Sequence, residues 1–458
     1  MVKPNRTSKT RETEHLVVIF AYHYPPDNAI GAARPYRFAK YLSRLGYTCR
    51  VFTAADQHGR YDSNIEYVED PFPARRNFSW QFERAVRKIF LPGEVGMLWS
   101  LRASRAACKY ISAHPCKTIT VISSFPPLGA HLAGWQTARR SKCAWIADCR
   151  DSFTDKPSSS SGSDSQQYLY RWMERVAVRT ADGVIVNTDV ALTQLNAKFP
   201  SSAGKIHVIW NGFDPEELIG PLPVGSQICK TFSHVGELYH GRNVSPLIES
   251  VSRLVAANRL SANSIRIRLI GPAESDCLPE SHLILRARSE GWLDLVTERV
   301  PQSDARQIAQ SSSGLLLIQS ECASHVPAKI FEYIQIGRPI LAFTWADSPA
   351  ERLLKRSGVP FRSIYPNAAP EAVDNILADF FSIPSTPIAR SAWFDDEFNA
   401  EKQTLQLDAI IRSTHRRRRT REAANSIVPA KATALEQPES AGVYQVPDPS
   451  STASIDRY

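Results

Sequence analysis

Along most of the chain, short apolar runs rich in β-branched residues alternate with segments of helical spacing. The run "HLVVIFAY" (15–22) has no polar interruption after its first residue, which predicts a strand buried on both faces. A Pro-rich loop follows it. "AARPYRFAKYLSRLG" (32–46) then repeats its apolar positions at helical spacing and ends on a glycine, and "YTCRVFTA" (47–54) predicts a second strand. Together these make a βαβ unit. The same grammar recurs at "TITVISSF" (118–125), "CAWIADCRD" (143–151), "GVIVNT" (183–188) and "IHVIWNG" (206–212), with helix-compatible segments between them. The pattern predicts an α/β fold with a doubly wound parallel sheet.

"NGFDPEEL" (211–218) leads into a Pro/Gly stretch, "IGPLPVGSQ" (219–227), that reads as a linker. The alternation restarts at "TFSHVGEL" (231–238) and continues through "IRIRLIG" (265–271), "LVTERV" (295–300), "GLLLIQS" (314–320) and "PILAF" (339–343). Two consecutive Rossmann-like domains are therefore expected, residues 15–218 and 219–398, after a disordered polar N-terminus at 1–14. A helix over 399–413 is expected to pack back on the first domain, and 414–458, basic and then rich in Ser, Pro, Ala and Glu, to form a disordered tail. "KPSSSSGSDS" (156–165) reads as a loop over a site, placed just after a strand end.

Composition agrees with two cores. The 458 residues exceed what one ordinary core organises, and 43% apolar with 22% charged is the balance of a globular protein. A net charge of +9, from 55 Lys+Arg against 46 Asp+Glu, favours anionic partners, although "HRRRRTR" (415–421) holds part of the excess locally. Eight cysteines without CxxC or Cys/His ligand spacing predict reduced thiols in a cytoplasmic protein. No secretory signal or membrane-spanning segment is expected from the polar start and the absence of long apolar windows.

Ligands of parallel sheets sit beyond the carboxyl ends of the strands, which directs attention to three loops. In "HYPPDNAIGAAR" (23–34), Gly31 opens a helix whose N-terminus favours an anion, but the loop is not GxGxxG and gives no support for a nicotinamide or flavin. A plain turn glycine reads equally well there. In "SHVGELYHGRN" (233–243), Gly236 and Gly241 allow close backbone approach and Arg242 supplies a cation, unless that Arg is merely solvated. In "HVPAKIFEYIQIGRPILAF" (325–343), Lys329 and Glu332 share one face near a helix N-terminus. They suit either phosphates and a pair of sugar hydroxyls or an ordinary i,i+3 ion pair.

Two more segments carry candidate chemistry. "DCRDSFTD" (148–155) offers Asp148 and Asp151 to hold a substrate hydroxyl, to act as a base, or to pair with Arg150. With no DxD triplet, HExxH or Cys/His cluster, no metal is expected. "FPARRNFSWQFERAVRKIFLPGEVGMLW" (72–99) interleaves cations and aromatics as an interfacial helix on anionic lipid does, and as an ordinary surface helix does too. No nucleic-acid-binding module accompanies it.

Taken in order from about residue 15 to about residue 410, these segments resemble family-four glycosyltransferases of the two-Rossmann, or GT-B, fold, in the subgroup that builds bacterial surface polysaccharides. The carrying segments include "WIADCRDSFTD", "VIWNGFDPEEL", "HVGELYHGRNVSPLIES" and "VPAKIFEYIQIGRPILAF". The resemblance implies two domains facing across a cleft, a nucleotide-sugar donor held mainly by the second and an acceptor facing the first. It places Gly31 in the glycine loop near the donor phosphates, and Arg242 where the family usually has a diphosphate-binding Lys. Lys329 matches the Lys of the PxKxxEY variant, and Glu332 the second Glu of the paired-glutamate motif, which holds the ribose.

Two positions depart from the pattern: Ser324 stands where the family has its first, sugar-contacting Glu, and Glu237 where a basic residue commonly follows the glycine of the second motif. The resemblance further implies transfer of a hexose with retention, no cofactor beyond the nucleotide sugar, Asp151 orienting the acceptor, and a lipid-linked or polysaccharide acceptor at the inner membrane face. The alternatives are a GT-B nucleotide-sugar epimerase and a catalytically weak homologue that binds nucleotide sugar as a scaffold.

Overall fold

In the computed structural model, which describes residues 15–27, 29–54, 62–71, 95–153, 164–217, 219–223, 229–239, 241–319 and 322–427, two parallel sheets organise the chain. The first sheet contains β1 (His15–Phe20), β2 (Thr48–Thr53), β3 (Ile65–Tyr67), β4 (Thr118–Phe125), β5 (Ala144–Cys149), β6 (Gly183–Val186) and β7 (Ile206–Val208), in the order β3-β2-β1-β4-β5-β6-β7. The second contains β8 (Lys230–Val235), β9 (Ile265–Ile270), β10 (Leu293–Val296), β11 (Gly314–Ile318), β12 (Ile340–Phe343) and β13 (Phe361–Ile364), in the order β10-β9-β8-β11-β12-β13. Each order is doubly wound and reverses beside its first strand, between β1 and β4 and between β8 and β11. The α/β fold read from the sequence is thus present twice.

Burial explains why the central strands announce themselves. β1 pairs in parallel with β2 and β4, and Leu16 to Phe20 are buried without exception, so polar residues have no place along it. One side of the first sheet packs around Trp99, Trp145 and Met173, and the other around Phe38, Leu42, Leu407, Ile410 and Ile411. The last three belong to the helix Ala400–Ile427, which continues past residue 413, where the sequence reading ends it. "HRRRRTREAANSI" (415–427) contains neither Gly nor Pro, and Arg and Ala are strong helix formers, so the turn geometry propagates through the basic run. The second sheet packs around Phe232, Trp292 and Phe380 on one face and Ile330, Ile334, Phe394 and Phe398 on the other.

The chain crosses between the two sheets twice, and the crossings lie side by side. Phe213 N donates to Phe398 O at 2.9 Å, and Ala400 N to Phe213 O at 3.0 Å. The helix Ala33–Arg44 grips the first crossing through its side chains. Arg34 Nη1 donates to Trp210 O at 2.7 Å, Lys40 Nζ pairs with Asp214 at 2.7 Å, and Tyr41 Oη donates to Asp214 at 2.6 Å.

The stretch 72–94 of the candidate interfacial helix, the loop 154–163, and residues 1–14 and 428–458 lie outside the described residues. Among the described residues no helix is long and apolar enough to cross a membrane.

Candidate functional site

Both switch-point loops carry a glycine over which a cation is laid. Gly236 follows β8 with φ +146, a backbone that side chains rarely adopt, and a Cβ there would lie 2.7 Å from Lys329 Cε and closer still to Nζ. Lys329 opens the helix Lys329–Ile336 after β11, so the two strands flanking the reversal bring Gly236 and Lys329 together. In the first domain Gly31 stands in the same relation to Arg150: a Cβ would lie 2.7 Å from Nη2 of its guanidinium. The space above Gly31 is therefore taken by a side chain of the protein itself. Arg150 is buried, donates through Nη2 to Pro126 O at 2.5 Å, and is lowered in pKa by that burial.

The helix Lys329–Ile336 presents an anion-seeking end. No side chain caps it, although Ile330 N in its first turn donates to Pro327 O at 3.1 Å, and Gly337 closes it in the left-handed conformation at φ 74. The Lys329 ammonium makes no hydrogen bond or ion pair among the described residues. Burial, then the neighbouring charge of Arg242, pull its ammonium down to about 8. Arg242 stacks over the Tyr239 ring with its guanidinium carbon 4.1 Å from the centroid, and donates through Nη1 to Glu237 O at 3.3 Å. Its Nε is buried with no hydrogen-bond partner among the described residues, and no carboxylate there pairs with it. Two cations so placed without a matching anion form a site for an anionic ligand. Glu237 is turned to Arg299, with which it forms an ion pair.

Glu332 lies one turn beyond Lys329 and does not pair with it. Its partner is Arg306, whose Nη2 is 3.1 Å from Glu332 and 3.0 Å from Glu217. The i,i+3 pair that the sequence allows is replaced by Arg306, which reaches Glu332 from 26 residues away on a different helix.

Asp148 and Asp151 separate in role. Asp148 is fully buried and accepts from Arg34 Nη2 at 2.8 Å and from Ser124 Oγ at 2.9 Å, so it anchors the helix Ala33–Arg44 and has no free face for a substrate. Its partner is Arg34 where pairing with Arg150 was one of the expectations. Asp151 stays accessible and points across the cleft, with an oxygen 4.0 Å from His325 Nε2. His325 was not singled out from the sequence, although it adjoins Ser324. Burial lowers its pKa against the raising charge of Asp151, and its Nδ1 is buried without a hydrogen-bond partner among the described residues.

The loop that carries Ser324 and His325 is fixed from behind. Gln319 Nε2 donates to the carbonyls of Cys322 at 3.1 Å, Ala323 at 3.2 Å and His325 at 2.7 Å. Ser324 Oγ meets Cys322 Sγ at 3.1 Å. His131, by contrast, is a structural histidine, fully buried with Nδ1 2.8 Å from Ser123 Oγ and held at a pKa of about 3 by burial. Among the described residues, Glu274, Asp276 and Cys277 bring ligand-type atoms within 4.8 Å of one another. The cleft mouth is bridged by Arg352, whose Nη2 lies 2.8 Å and 3.0 Å from the two carboxylate oxygens of Asp189 in the first domain.

Comparison with known proteins agrees with the fold. Residues 32–217 match the family profile described as Glycosyltransferase Family 4. Among solved structures, Anabaena HepE in complex with UDP and glucose is similar at a TM-score of 0.54 and 16% identity, covering 87% of this chain and 99% of that one. The lipopolysaccharide outer core galactosyltransferase WaaB in its apo form gives 0.52 and 14%, covering 87% and 99%. A UDP-forming α,α-trehalose-phosphate synthase from Burkholderia xenovorans, in complex with glucose-6-phosphate, gives 0.55 and 11%, covering 88% and 100%. No curated protein sequence matches the chain. At these identities the structural likeness concerns the fold, and the family profile concerns the first domain. Together they show a first domain similar to Glycosyltransferase Family 4 and a two-sheet fold shared with GT-B structures.

Proposed function

We propose that the protein transfers a hexose from a nucleotide-sugar donor to a lipid-linked or polysaccharide acceptor, with retention of configuration and without a metal. The observation that carries the reading is the convergence of Arg242, Lys329 and an uncapped helix N-terminus above Gly236, with Glu332 one turn deeper. Glycosyl transfer develops positive charge on the sugar and negative charge on the departing diphosphate. Two preplaced cations and a helix end stabilise that diphosphate without reorganising, and Glu332 accepts hydrogen bonds from the ribose.

Asp151 faces this site from the other domain and orients the acceptor hydroxyl, whose proton passes to the leaving phosphate. The absence of a DxD triplet supports metal independence. The acceptor class follows the resemblance to surface-polysaccharide enzymes and would place the protein at the inner face of the membrane.

The test is a screen of nucleotide sugars against lipid-linked and polysaccharide acceptors, with purified protein, in the presence and absence of EDTA. Acceptor-linked product that survives EDTA is expected. Ser324 in place of an acid at the sugar-contacting position favours the scaffold alternative, which tight donor binding with no turnover on any acceptor would establish. Free nucleoside diphosphate without an acceptor-linked product would point to the epimerase.

A further inference from the structure

Glu332 stands in the first turn of its helix with its side chain 37% exposed. A carboxylate so placed has several rotamers open to it, and only some aim it at a ligand lying over the helix end. Arg306, on the helix Gln302–Gln310, removes that freedom. Its Nη2 donates to Glu332 Oε1 at 3.1 Å and to Glu217 Oε2 at 3.0 Å. Glu217 follows the first crossing between the domains, close after Asp214, which Lys40 and Tyr41 hold in place. The guanidinium is thus held by two carboxylates through one nitrogen, Nη2, while its Nε is buried without a hydrogen bond among the described residues. Only Oε1 of Glu332 is engaged, and more than a third of the side chain remains open.

We propose that Arg306 is the positioning residue of the nucleotide site: it holds Glu332 through Oε1 so that the rest of the carboxylate accepts from the ribose hydroxyl pair of a nucleoside diphosphate. The inference rests on the reading of Glu332 given under Proposed function. Arg306 itself touches no ligand. It acts by orienting an acceptor that would otherwise be one rotamer away from use. Because the same nitrogen reaches Glu217, the site is also tied to the segment that joins the two domains.

A double-mutant cycle on the full chain decides the matter. Titration with UDP, dTDP, GDP, CDP and ADP first selects the probe. With that probe, Glu332→Ala and Arg306→Ala are each expected to weaken binding about tenfold, the loss of one well-placed charge-assisted contact. Combined, they are expected to cost no more than Glu332→Ala alone, because Arg306 acts only through Glu332. Arg306→Lys keeps the charge and loses the fork, so it is expected to recover part of the affinity, and it guards against a folding defect in the alanine variant. Full additivity, or an Arg306→Ala variant that binds normally where Glu332→Ala does not, overturns the inference and leaves Glu332 in its role. Undiminished binding by Glu332→Ala, or no binding of any probe by the unmodified chain, overturns the nucleotide-site reading and this inference with it.

Discussion

The ammonium of Lys329 occupies the space that a side chain at Gly236 would need. Glycine at 236 is therefore required twice over, by its φ of +146 and by the lysine that fills its missing Cβ. Gly236→Ala is expected to cost about 1–3 kcal/mol in backbone strain and to push Lys329 out of the site. Nucleoside diphosphate affinity should fall roughly tenfold or more with the displaced charge. Urea melts and titration calorimetry on the variant check both effects.

If Lys329 holds the diphosphate as proposed, affinity depends on pH. Burial and then Arg242 lower it from 10.5 to about 8, while Glu332 and Glu237 raise it by less. The cation is present below that value and lost above it, so diphosphate affinity should fall as pH rises through 8 and should be weak and flat in Lys329→Met. Between 8 and 10.5 the unfolded chain binds the proton that the folded chain has released, so stability rises with pH over that window. At pH 7 the folded protein carries the penalty of the buried charge. Lys329→Met should therefore stabilise the ligand-free protein by about 1–2 kcal/mol, allowing for screening at a partly exposed site. Thermal melts with and without nucleotide at pH 7 and 9 report both signs.

Acid should destabilise the protein before its carboxylates titrate. Burial holds His131 and His234 at a pKa of about 3, below the 6.5 of a free histidine. The unfolded chain takes up these protons as pH falls below 6.5 and the folded chain does not, so stability declines with acid across that range. Each histidine is expected to contribute about 2 kcal/mol of loss at pH 5 relative to pH 7. Urea unfolding at the two pH values, repeated with His131→Gln, measures the share of one site.

The Arg352–Asp189 pair joins the two domains at an exposed position, with side chains 42% and 56% accessible. Such pairs are worth no more than about 1 kcal/mol, so Asp189→Asn should scarcely change the melting temperature. The same energy is enough to shift an open-to-closed equilibrium by up to about fivefold. Small-angle scattering should then show a larger radius of gyration for the variant than for the parent, and an unchanged one would mean that the pair does not hold the domains together.

How much of this was legible beforehand depended on whether the signal was local. β1 and β11 are runs of mostly buried apolar residues, and β4 is a mostly buried run of β-branched and small polar residues, so all three could be read directly. β3 and β13 are short and mostly half-exposed, and neither carries a recognisable period. "LVTERV" (295–300) gave a strand too far along, because β10 ends at Val296, before the polar residues that follow it.

Lys329, Glu332, Arg242 and Gly236 stood out because loops at strand ends are where ligands bind, and the doubly wound order then brings those loops together. Arg306 and His325 did not stand out, because each acquires meaning only from a partner on another element. Asp148 looked like an active-site acid by its strand-end position until Arg34, 114 residues earlier, claimed it.

The second domain is proposed to grip a nucleoside diphosphate through Lys329 and Glu332. Calorimetric titration of UDP, dTDP, GDP, CDP and ADP into the parent chain and into Lys329→Ala and Glu332→Ala tests it most directly. One nucleotide should bind the parent with stoichiometry near one and lose about tenfold or more in each variant. Binding that is equally tight in the parent and both variants would contradict the claim.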